Sequence, residues 1–449
     1  MSPKKPEFPQ LQNDRLKHGG SAERLKAAID VHRQGRLDEA EKAYQAILKI
    51  HPSNPDALHF FGVLLHQRGR SKEAIARIER ALKSNPDYLD ARMNLGNIYK
   101  ETGDTTRAAA TYRKVIATDP SHINAYNNLG VVLRLKGELE ESARMLEQAV
   151  ALAPDNADCL HNLGNTYQNQ LEIEKAVETY MRSIALKPKQ PEVYETLWNM
   201  LRRSGKFSKA QDVLAKWLAV EPDNPVAKHF LLAVRGDDIP DRASDAYVQQ
   251  TFDGFADSFD EVLKGLDYRA PELTAEAVAA IYPEPRHQLT ILDAGCGTGL
   301  CGDFLKPYAR KLIGVDLSQA MLEKARGRSL YDELTPAELV DYLGRFNAAF
   351  DLIVSADTLC YFGELRHFFL AARQALKKNG CLVFTLEQYQ GDDPLNFKLN
   401  PHGRYSHCAD YVEQTLSACD LSLLALRIVI LRMELGNPVA GLLISAKLN

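Results

Sequence analysis

The sequence predicts two structural classes in one chain: an array of paired α-helices, followed by an α/β domain with a mostly parallel sheet. Three observations support this fold class. Prolines recur every 34 residues through the first half, a glycine-rich loop follows a buried apolar strand near residue 295, and two apolar segments around residues 436–438 have the pattern of a terminal hairpin. The length of 449 residues also exceeds what one hydrophobic core usually organises, so two or more domains are expected.

The composition excludes several classes of protein. Hydrophobic residues make up 45% of the chain, yet no apolar run reaches the roughly 20 residues of a membrane-spanning helix. Residues 1–20 contain lysines but no apolar segment behind them, so we expect a disordered tail, no secretory signal and a cytoplasmic protein. The seven cysteines include no Cys-x-x-Cys pair, which predicts free thiols and no metal site.

Charge is divided unevenly between the two halves. Through Gly236 the chain has 35 basic and 29 acidic residues, and the remainder has 20 basic and 30 acidic residues. An acidic surface repels a phosphate backbone, so nucleic acid is an unfavourable substrate for the second half.

The proline period marks a helical repeat. Six prolines share one phase of it: Pro52, Pro86, Pro120, Pro154, Pro188 and Pro222. Two glycine series accompany them, one at positions 35, 69, 103, 137 and 205, which Leu171 breaks, and one at 62, 96, 130 and 164. Each unit is therefore predicted to be two amphipathic helices, in which a glycine opens the turn, small residues allow close packing and the proline ends the second helix.

These marks resemble the tetratricopeptide repeat, with six units from about Ser21 to Asn224. A helix at 225–235 is expected to cover the last unit, which gives an all-α solenoid over 21–236. The Asp-rich segment 237–246 then has the composition of a linker, and a second domain is expected over 247–449. The resemblance implies a concave groove that binds a protein or peptide partner.

An asparagine recurs at one phase of the first helix in three successive units: Asn94, Asn128 and Asn162. This series resembles the peptide-gripping asparagines of the O-linked N-acetylglucosamine transferase repeats. An amide can donate to and accept from a peptide backbone at once, so the three are candidate partner-binding residues. The alternative is that asparagines simply tolerate a solvated helix face, and the sequence leaves both readings open.

The chemistry-bearing motif of the second half is LTILDAGCGTGLCG, which begins at Leu289. A buried strand passes through Asp293 into Gly295, Gly297 and Gly299, where a ligand could lie against backbone without meeting side chains. The next strand, KLIGVD, ends in Asp316, where an acid can accept hydrogen bonds from both ribose hydroxyls. The same glycines also fit the G-x-G-x-x-G dinucleotide fingerprint, so the surrounding segments must decide between the two readings.

The segments in order resemble class I S-adenosylmethionine-dependent methyltransferases: a Rossmann-like sheet that ends in an antiparallel hairpin. The D-x-G-x-G-x-G string resembles their first motif, FDLIVSADTLCYF and CLVFTLE their fourth and fifth strands, and RIVILRMEL with VAGLLISAKL their terminal hairpin. A dehydrogenase sheet would continue with parallel units instead. Within the superfamily, the chain looks closest to bacterial predicted methyltransferases that carry an N-terminal tetratricopeptide array.

The resemblance implies S-adenosyl-L-methionine as cofactor and a set of residues that hold it. Ser318 and Met321 would flank the adenosine, and Glu338, where the family usually has Asp, would bind the adenine amino group. The implied cofactor-binding set is Asp293, Gly295, Gly297, Gly299, Asp316, Ser318, Met321 and Glu338.

Candidate catalytic residues come from the loops after the fourth and fifth strands, where ligands bind in open α/β sheets. They are Asp357 and Tyr361 after the fourth strand, and His402, Arg404, Tyr405 and His407 in PHGRYSH. A base is needed only if the acceptor loses a proton, and Arg404 would imply an anionic acceptor. The aromatic series Phe252, Phe255 and Phe259 is predicted to pack a helix and could also cover the cofactor.

Three functions remain open from the sequence. The first is a methyltransferase whose repeat array recruits a protein or peptide partner or substrate. The second is a non-catalytic adaptor that uses the repeat groove. The third is a small-molecule methyltransferase whose repeats serve assembly. The intact acids and glycines of the motif favour an enzyme over the adaptor.

Overall fold

The structure, a computed structural model, describes residues 20–391, 396–434 and 436–449. The predicted disordered tail at 1–20 therefore lies outside the described residues, except for Gly20. The chain divides into two compact units, Met1–Leu197 and Trp198–Asn449, which we call the first and the second unit. Within the described residues, no helix combines the length and the apolar character that crossing a bilayer requires.

Paired helices build the chain from Ser21 onward, as the repeat period predicts. In order they are α1 (Ser21–Arg33), α2 (Leu37–Ile50), α3 (Pro55–Gln67), α4 (Ser71–Ser84), α5 (Leu89–Glu101), α6 (Thr105–Thr118), α7 (Ile123–Leu135), α8 (Leu139–Leu152), α9 (Ala157–Asn169), α10 (Ile173–Leu186), α11 (Pro191–Arg203), α12 (Phe207–Val220) and α13 (Pro225–Arg235). The helices lie in pairs at the positions that the 34-residue period predicts, and α13 follows the sixth pair. The division between the two units falls inside α11.

The two glycine series have separate structural roles. At the turn between paired helices, the glycines adopt positive φ angles, such as +79° at Gly137. Residues that carry a side chain disfavour this conformation. Inside the first helices, a Cβ atom added at Gly130 would lie 2.5 Å from Cγ of Leu146, and one at Gly96 would lie 2.6 Å from the ring of Tyr112. These glycines therefore permit the close helix packing that the sequence predicts.

Leu171 takes the turn position that glycine has in the other units. Its φ is +63° and its side chain is 80% exposed, so the strained backbone gains little from packing. Replacing Leu171 by Gly is expected to raise the free energy of unfolding by about 0.5–1 kcal/mol, and replacing Gly137 by Leu is expected to lower it by a similar amount. Chemical denaturation followed by circular dichroism measures both, and a destabilised Leu171→Gly variant would show that the leucine side chain contributes packing.

Within the described residues, the second unit continues with helices and a nine-stranded sheet. The helices are α14 (Asp245–Phe255), α15 (Phe259–Gly265), α16 (Ala270–Ile281), α17 (Gly302–Leu305), α18 (Gln319–Gly327), α19 (Leu339–Leu343), α20 (Arg366–Ala375) and α21 (Ala409–Ala418), with a 3₁₀ turn at Leu359–Tyr361. The strands are β1 (Leu289–Ala294), β2 (Ala309–Asp316), β3 (Glu333–Pro336), β4 (Phe350–Ser355), β5 (Leu376–Gln388), β6 (Phe397–Leu399), β7 (Tyr405–His407), β8 (Leu421–Glu434) and β9 (Asn437–Leu448).

The strand order is β3-β2-β1-β4-β5-β7-β6, and the neighbours from β3 to β5 run parallel. Strand β9 pairs antiparallel with both β5 and β8, so the terminal hairpin joins the sheet beside β5. The inner strands β1 and β4 are almost fully buried, in agreement with their continuous apolar runs. The predicted α/β sheet with a terminal antiparallel hairpin is confirmed.

Three short elements complete the parallel part of the sheet. The third strand, β3, is four residues long, and Glu333 to Pro336 pair with Ile313 to Asp316 of β2. The helix after the glycine loop, α17, is also four residues long and begins at Gly302. Helix α20 ends at Ala375, because the chain from Leu376 pairs with β4.

The segment 237–246 is an ordered part of the second unit, although its composition predicts a linker. The backbone N–H of Ala243 donates to the carbonyl of Tyr361 at 2.8 Å, and that of Gly363 donates to the carbonyl of Asp241 at 2.7 Å. The hydroxyl of Tyr405 donates to the carbonyl of Pro240 at 2.8 Å. The turn-forming residues of this segment let it fold back onto the 3₁₀ turn. Composition alone does not distinguish such a folded segment from a linker.

Candidate functional site

The second unit contains a cavity of about 430 Å³, a size typical of sites for small ligands. Its walls come from the loops after β1, β2 and β4, from α14 and α15, and from the end of α11. The carboxyl ends of parallel strands meet at this edge of the sheet, where open α/β sheets bind their ligands. The cavity therefore lies where the sequence predicts the cofactor.

The three motif glycines have different surroundings. A Cβ atom added at Gly297 would meet no atom within 4 Å, and Gly297 lines the cavity with φ at +53°. Gly295 also lines the cavity, but its added Cβ would lie 2.2 Å from Cγ2 of Thr358. At Gly299 the added Cβ would meet the Tyr331 ring at 2.9 Å. Gly297 thus leaves space for a ligand, while Gly299 allows the protein itself to pack.

Asp316 lines the cavity, and the backbone orients its carboxylate. Oδ2 accepts a hydrogen bond from the N–H of Gly297 and Oδ1 accepts one from the N–H of Ser318, both at 2.9 Å. Burial raises the pKa of Asp316, and these backbone hydrogen bonds oppose the shift. A carboxylate oxygen has a second lone pair, so both oxygens can still accept from a ligand hydroxyl.

Asp293 is buried at the end of β1 and is outside the cavity lining. Its Oδ2 accepts a 2.6 Å hydrogen bond from the hydroxyl of Tyr331, and its buried Oδ1 has no hydrogen-bond partner among the described residues. Burial raises the pKa of Asp293 to about 7. Asp293 thus holds Tyr331, whose ring packs beside Gly299 of the glycine loop.

Glu338, which follows β3, lines the cavity and caps α19. Its Oε2 accepts a hydrogen bond from the N–H of Asp341 at 2.8 Å, while its Oε1 is buried with no partner in the described part of the chain. A buried acceptor without a donor is unfavourable unless a ligand supplies one. Met321 also lines the cavity.

Ser318 does not line the cavity and has a structural role instead. Its hydroxyl oxygen accepts from the N–H of Met321 at 3.1 Å, which caps α18, and its O–H donates to Asp253 at 2.6 Å. The hydroxyl of Thr298 similarly donates to Asp260 at 2.6 Å. Because Asp253 lies on α14 and Asp260 on α15, these two hydrogen bonds attach both helices to the loops that follow β2 and β1.

The aromatic series on α14 and α15 lines the cavity, so these rings pack against one another and also cover the cavity. The rings of Phe255 and Phe259 meet edge to face at 5.5 Å, and Phe252 meets Tyr361 at the same distance. All four aromatic side chains belong to the cavity wall. An apolar cover of this kind excludes water from a bound ligand.

Among the candidate catalytic residues, Asp357, Tyr361 and Arg404 line the cavity. Asp357 has a φ of +52°, a backbone conformation that is uncommon outside glycine and often marks a functional position. Burial raises the pKa of Tyr361 well above its ordinary value, although Arg404 opposes the shift. The Tyr361 hydroxyl therefore stays protonated and is a hydrogen-bond donor at neutral pH.

The other three candidates are outside the cavity lining. Tyr405 and His407 are fully buried, where the Tyr405 hydroxyl bonds Pro240 and Nε2 of His407 donates to the carbonyl of Gly363 at 3.0 Å. Since a fully buried side chain bonded to the backbone cannot reach a substrate, the geometry removes both from the catalytic set. His402 contacts the same acid as Arg404, with its Nε2 3.4 Å from Glu387.

A buried cluster of charges supports Asp357 and Arg404. Arg432, 1% exposed, contacts Asp357 at 3.3 Å, Glu434 at 2.7 Å and Glu387. Arg404 contacts Glu387 at 3.2 Å and Glu434 at 2.9 Å. Sequence reasoning missed these partners, although charged residues inside the apolar runs CLVFTLE and RIVILRMEL are a signal, because a buried charge needs a partner of opposite sign.

In the first unit, the asparagine series forms hydrogen bonds between consecutive repeats. The Asn94 amide lies 2.8 Å from Nε2 of His59, the Asn128 amide donates to Asn97 at 3.0 Å, and the Asn162 amide donates to Asn127 at 2.8 Å. All three asparagines are half-buried. A solvated helix face is therefore an incomplete description, since each amide already connects two repeats.

Comparison with known proteins identifies both parts of the chain. A family model described as a methyltransferase domain matches residues 292–382, and models of the tetratricopeptide repeat match residues 32–87, 61–123 and 121–189. Residues 292–382 contain the cofactor-binding candidates from Asp293 to Glu338. The matched domain is of the class that uses S-adenosylmethionine, as the sequence predicts.

Curated relatives match part of the chain. Methyltransferase-like protein 27 of Homo sapiens is 39% identical over 98 residues, which are 22% of this chain and 39% of that protein. A malonyl-[acyl-carrier protein] O-methyltransferase of Legionella pneumophila is 27% identical over 171 residues, 37% of this chain and 58% of that protein. A crystal structure of MamA aligns at 21% identity and a TM-score of 0.35, over 37% of this chain and 96% of MamA. The chain spans less than two thirds of the length of the two curated relatives.

Proposed function

Because this chain carries tetratricopeptide repeats followed by a methyltransferase domain, we propose that it is an S-adenosylmethionine-dependent methyltransferase whose repeats bind a protein or peptide partner or substrate. One observation carries the enzymatic part of the proposal. Around one cavity, the structure combines the open face of Gly297, the two acceptor oxygens of Asp316 and the unpartnered Oε1 of Glu338. These groups match the needs of a ligand with a ribose diol and an adenine amino group.

The residues present therefore fit the cofactor. The backbone at Gly295 and Gly297 would pass alongside it, Asp316 would accept from the ribose hydroxyls, and Glu338 would accept from the adenine amino group. When bound, the cofactor would supply a methyl group on a positively charged sulfur, which an acceptor nucleophile would take in line while the neutral thioether of S-adenosylhomocysteine leaves. The chain contributes alignment of the acceptor and exclusion of water by Phe252 and its aromatic neighbours.

Asp357 and Tyr361 are the groups proposed to face the acceptor. Tyr361 can donate a hydrogen bond that orients an acceptor oxygen or nitrogen. Burial raises the pKa of Asp357, and the neighbouring Arg432 and Arg404 oppose this shift. Asp357 is thus the carboxylate available to take a proton where the acceptor must lose one.

Loss of the Asp316 carboxylate is expected to weaken binding of S-adenosylhomocysteine at least tenfold. Two hydrogen bonds to a charged acceptor contribute about 1.5–3 kcal/mol each, so the loss of even one exceeds a factor of ten. Titration calorimetry of Asp316→Ala against the wild type measures the change, with Asp303→Ala, an exposed acid of the same unit, as the control. Equal affinities of Asp316→Ala and the wild type would exclude Asp316 from the site.

The partner-binding part of the proposal places an extended peptide on Asn94, Asn128 and Asn162. Replacing all three by Ala is expected to weaken a partner tenfold or more, at about 0.5–1.5 kcal/mol for each hydrogen bond. It also removes the hydrogen bonds between repeats, so some loss of stability is expected. Partners are identified by pull-down with the wild type, and their affinity for the variant is then measured.

A matched variant separates the two effects. Replacing Asn97 and Asn127 by Ala removes the acceptors that Asn128 and Asn162 use, but leaves the three proposed peptide-binding amides in place. If this variant loses the partner as completely as the triple variant, the asparagines act by holding the repeats together. If a well-folded triple variant keeps the partner at full strength, they do not bind it.

A small-molecule acceptor is a second candidate, and the enclosed cavity favours it. The names of the relatives do not decide between the two candidates, because they name malonyl-[acyl-carrier protein] for one relative and a guanine of 18S rRNA for another. The direct test is incubation of the protein and its co-purified partners with methyl-labelled cofactor. Label in protein supports the first candidate, label in a small molecule supports the second, and no label under any condition supports the adaptor function.

A further inference from the structure

Two arginines at the end of α11 belong to the cavity wall. Arg202 and Arg203 line the same cavity as Arg404 and Tyr361, and all four lie in the second unit. These arginines belong to the last repeat in the sequence, which lies outside all of the methyltransferase motifs. Together with Arg404, which lies between β6 and β7, they bring three guanidinium groups to the cavity wall.

The carboxylates near these arginines are engaged by other cations. Glu387 and Glu434 contact both Arg404 and Arg432, and Asp357 contacts Arg432. Among the described residues, the three carboxylates thus form their ion pairs with Arg404, Arg432 and His402, and none with Arg202 or Arg203. Arg404 is neutralised by its contacts and is a poor candidate to hold an anionic substrate, contrary to what its place in PHGRYSH suggests.

Arg202 and Arg203 form no ion pair with any residue in the described ranges. The Nε of Arg202 is buried and has no hydrogen-bond partner there. Burial lowers the pKa of Arg202, and so do the neighbouring charges of Arg203 and Arg404, against the opposing effect of Glu434. Neighbouring cations without an ion-pair partner of their own are unfavourable, and an anionic ligand would relieve this cost.

A position at the end of a helix does not by itself explain the pair. Cations are favoured in the last turn because of the helix dipole, and Arg235 at the end of α13 illustrates this. Arg235, however, is exposed and lies outside the cavity lining. The dipole accounts for an exposed arginine, but it does not account for a guanidinium nitrogen that is buried in a cavity wall without a partner.

On the basis of the proposed methyltransferase function, we propose that the methyl acceptor is a small organic anion whose charged group binds Arg202 and Arg203. The apolar body of this molecule would lie against Val248, Phe252 and Phe362, which line the same cavity. Arginine forks bind carboxylate and phosphate equally well in geometry, so the anionic group is one of these two. The last repeat thereby supplies substrate specificity to the enzyme.

The test uses the full chain saturated with S-adenosylhomocysteine and three probes: octanoate, octyl phosphate and the neutral octanamide. Titration calorimetry is expected to show binding of at least one anionic probe at least tenfold tighter than octanamide. The Arg202→Gln, Arg203→Gln double variant is expected to lose at least tenfold in affinity for that probe. Which of the two anions binds tighter distinguishes a carboxylate from a phosphate.

The control is the double variant Lys209→Gln, Arg235→Gln, which removes the same charge from exposed positions outside the cavity. It is expected to bind the probe as the wild type does. If the double variant of the cavity arginines unfolds, the single variant Arg203→Gln is used for the comparison. Arg203 is exposed, so its replacement should leave the fold intact. The proposal is overturned if neither anion binds better than octanamide, or if the cavity variant and the control bind equally.

Binding of S-adenosylhomocysteine in the same titrations separates this inference from the proposed function. If the wild type binds S-adenosylhomocysteine but no anionic probe, the methyltransferase proposal stands and the proposal of an anionic acceptor is wrong. If the wild type does not bind S-adenosylhomocysteine, the proposed function is wrong, and the inference that rests on it is wrong as well.

Discussion

Replacing Arg432 by Gln is expected to lower the free energy of unfolding of the second unit by about 3–5 kcal/mol at neutral pH. Arg432 is 1% exposed and contacts three carboxylates, those of Asp357, Glu387 and Glu434. Without the charge of Arg432, these acids repel one another in a buried place, and Arg404 is the cation that remains beside them. Urea denaturation of the full chain, followed by near-ultraviolet circular dichroism, measures the loss.

The loss is expected to depend on pH in a defined direction. In the wild type, burial would raise the pKa of Glu434, but Arg404 and Arg432 outweigh it and lower the pKa to about 2. Glu434 therefore stabilises the wild type above its unfolded pKa of about 4.3, and this contribution is lost as the pH falls toward 2. In the variant, the carboxylates hold protons more tightly, so the difference from the wild type should shrink as the pH falls below about 5.

Arg427→Gln is the matched control for Arg432. Both arginines lie on β8, but Arg427 is exposed and contacts only Glu276, at 3.4 Å, among the described residues. Its removal is expected to change the free energy of unfolding by less than about 1 kcal/mol. A loss of the same size in both variants would mean that the buried charge cluster contributes nothing specific.

Replacing Gly297 by Asn is expected to abolish detectable binding of S-adenosylhomocysteine while the fold is retained. The added side chain would enter the cavity, because nothing lies within 4 Å of the Cβ position. Asparagine tolerates positive φ better than other residues with side chains, so the backbone at +53° should cost little. Titration calorimetry and thermal denaturation together measure the two effects.

Gly137→Asn is the control for this substitution. Gly137 also has positive φ and open space around its Cβ position, but it lies in the first unit. This variant should bind S-adenosylhomocysteine as the wild type does. Unchanged binding by a well-folded Gly297→Asn variant would mean that the ligand does not pass over the glycine loop.

The sequence predicts those parts of this protein that local chemistry determines. The 34-residue period leads directly to the helix pairs, because each glycine of the first series adopts the positive φ that its turn requires. The apolar runs that end near Asp293 and at Asp316 are β1 and β2, which pair in parallel, so their carboxyl ends meet at one edge of the sheet. Of the predicted cofactor residues, Gly295, Gly297, Asp316, Met321 and Glu338 line the cavity.

The sequence does not predict what tertiary contacts determine. Tyr405 and His407 have the residue types of a catalytic loop, but only the fold shows that both are buried against the backbone at Pro240 and Gly363. Arg432 lies 75 residues from its partner Asp357, so no local pattern connects them. Arg202 belongs to a repeat by sequence and to a cavity wall by structure.

The central claim is that the cavity of the second unit binds S-adenosylmethionine, and a crystal structure with S-adenosylhomocysteine tests it most directly. We predict the ribose hydroxyls within about 3.2 Å of Asp316, the adenine amino group at a similar distance from Glu338, and backbone contact at Gly297. Electron density for S-adenosylhomocysteine elsewhere on the chain, or none in the cavity at saturating concentration, would contradict the claim.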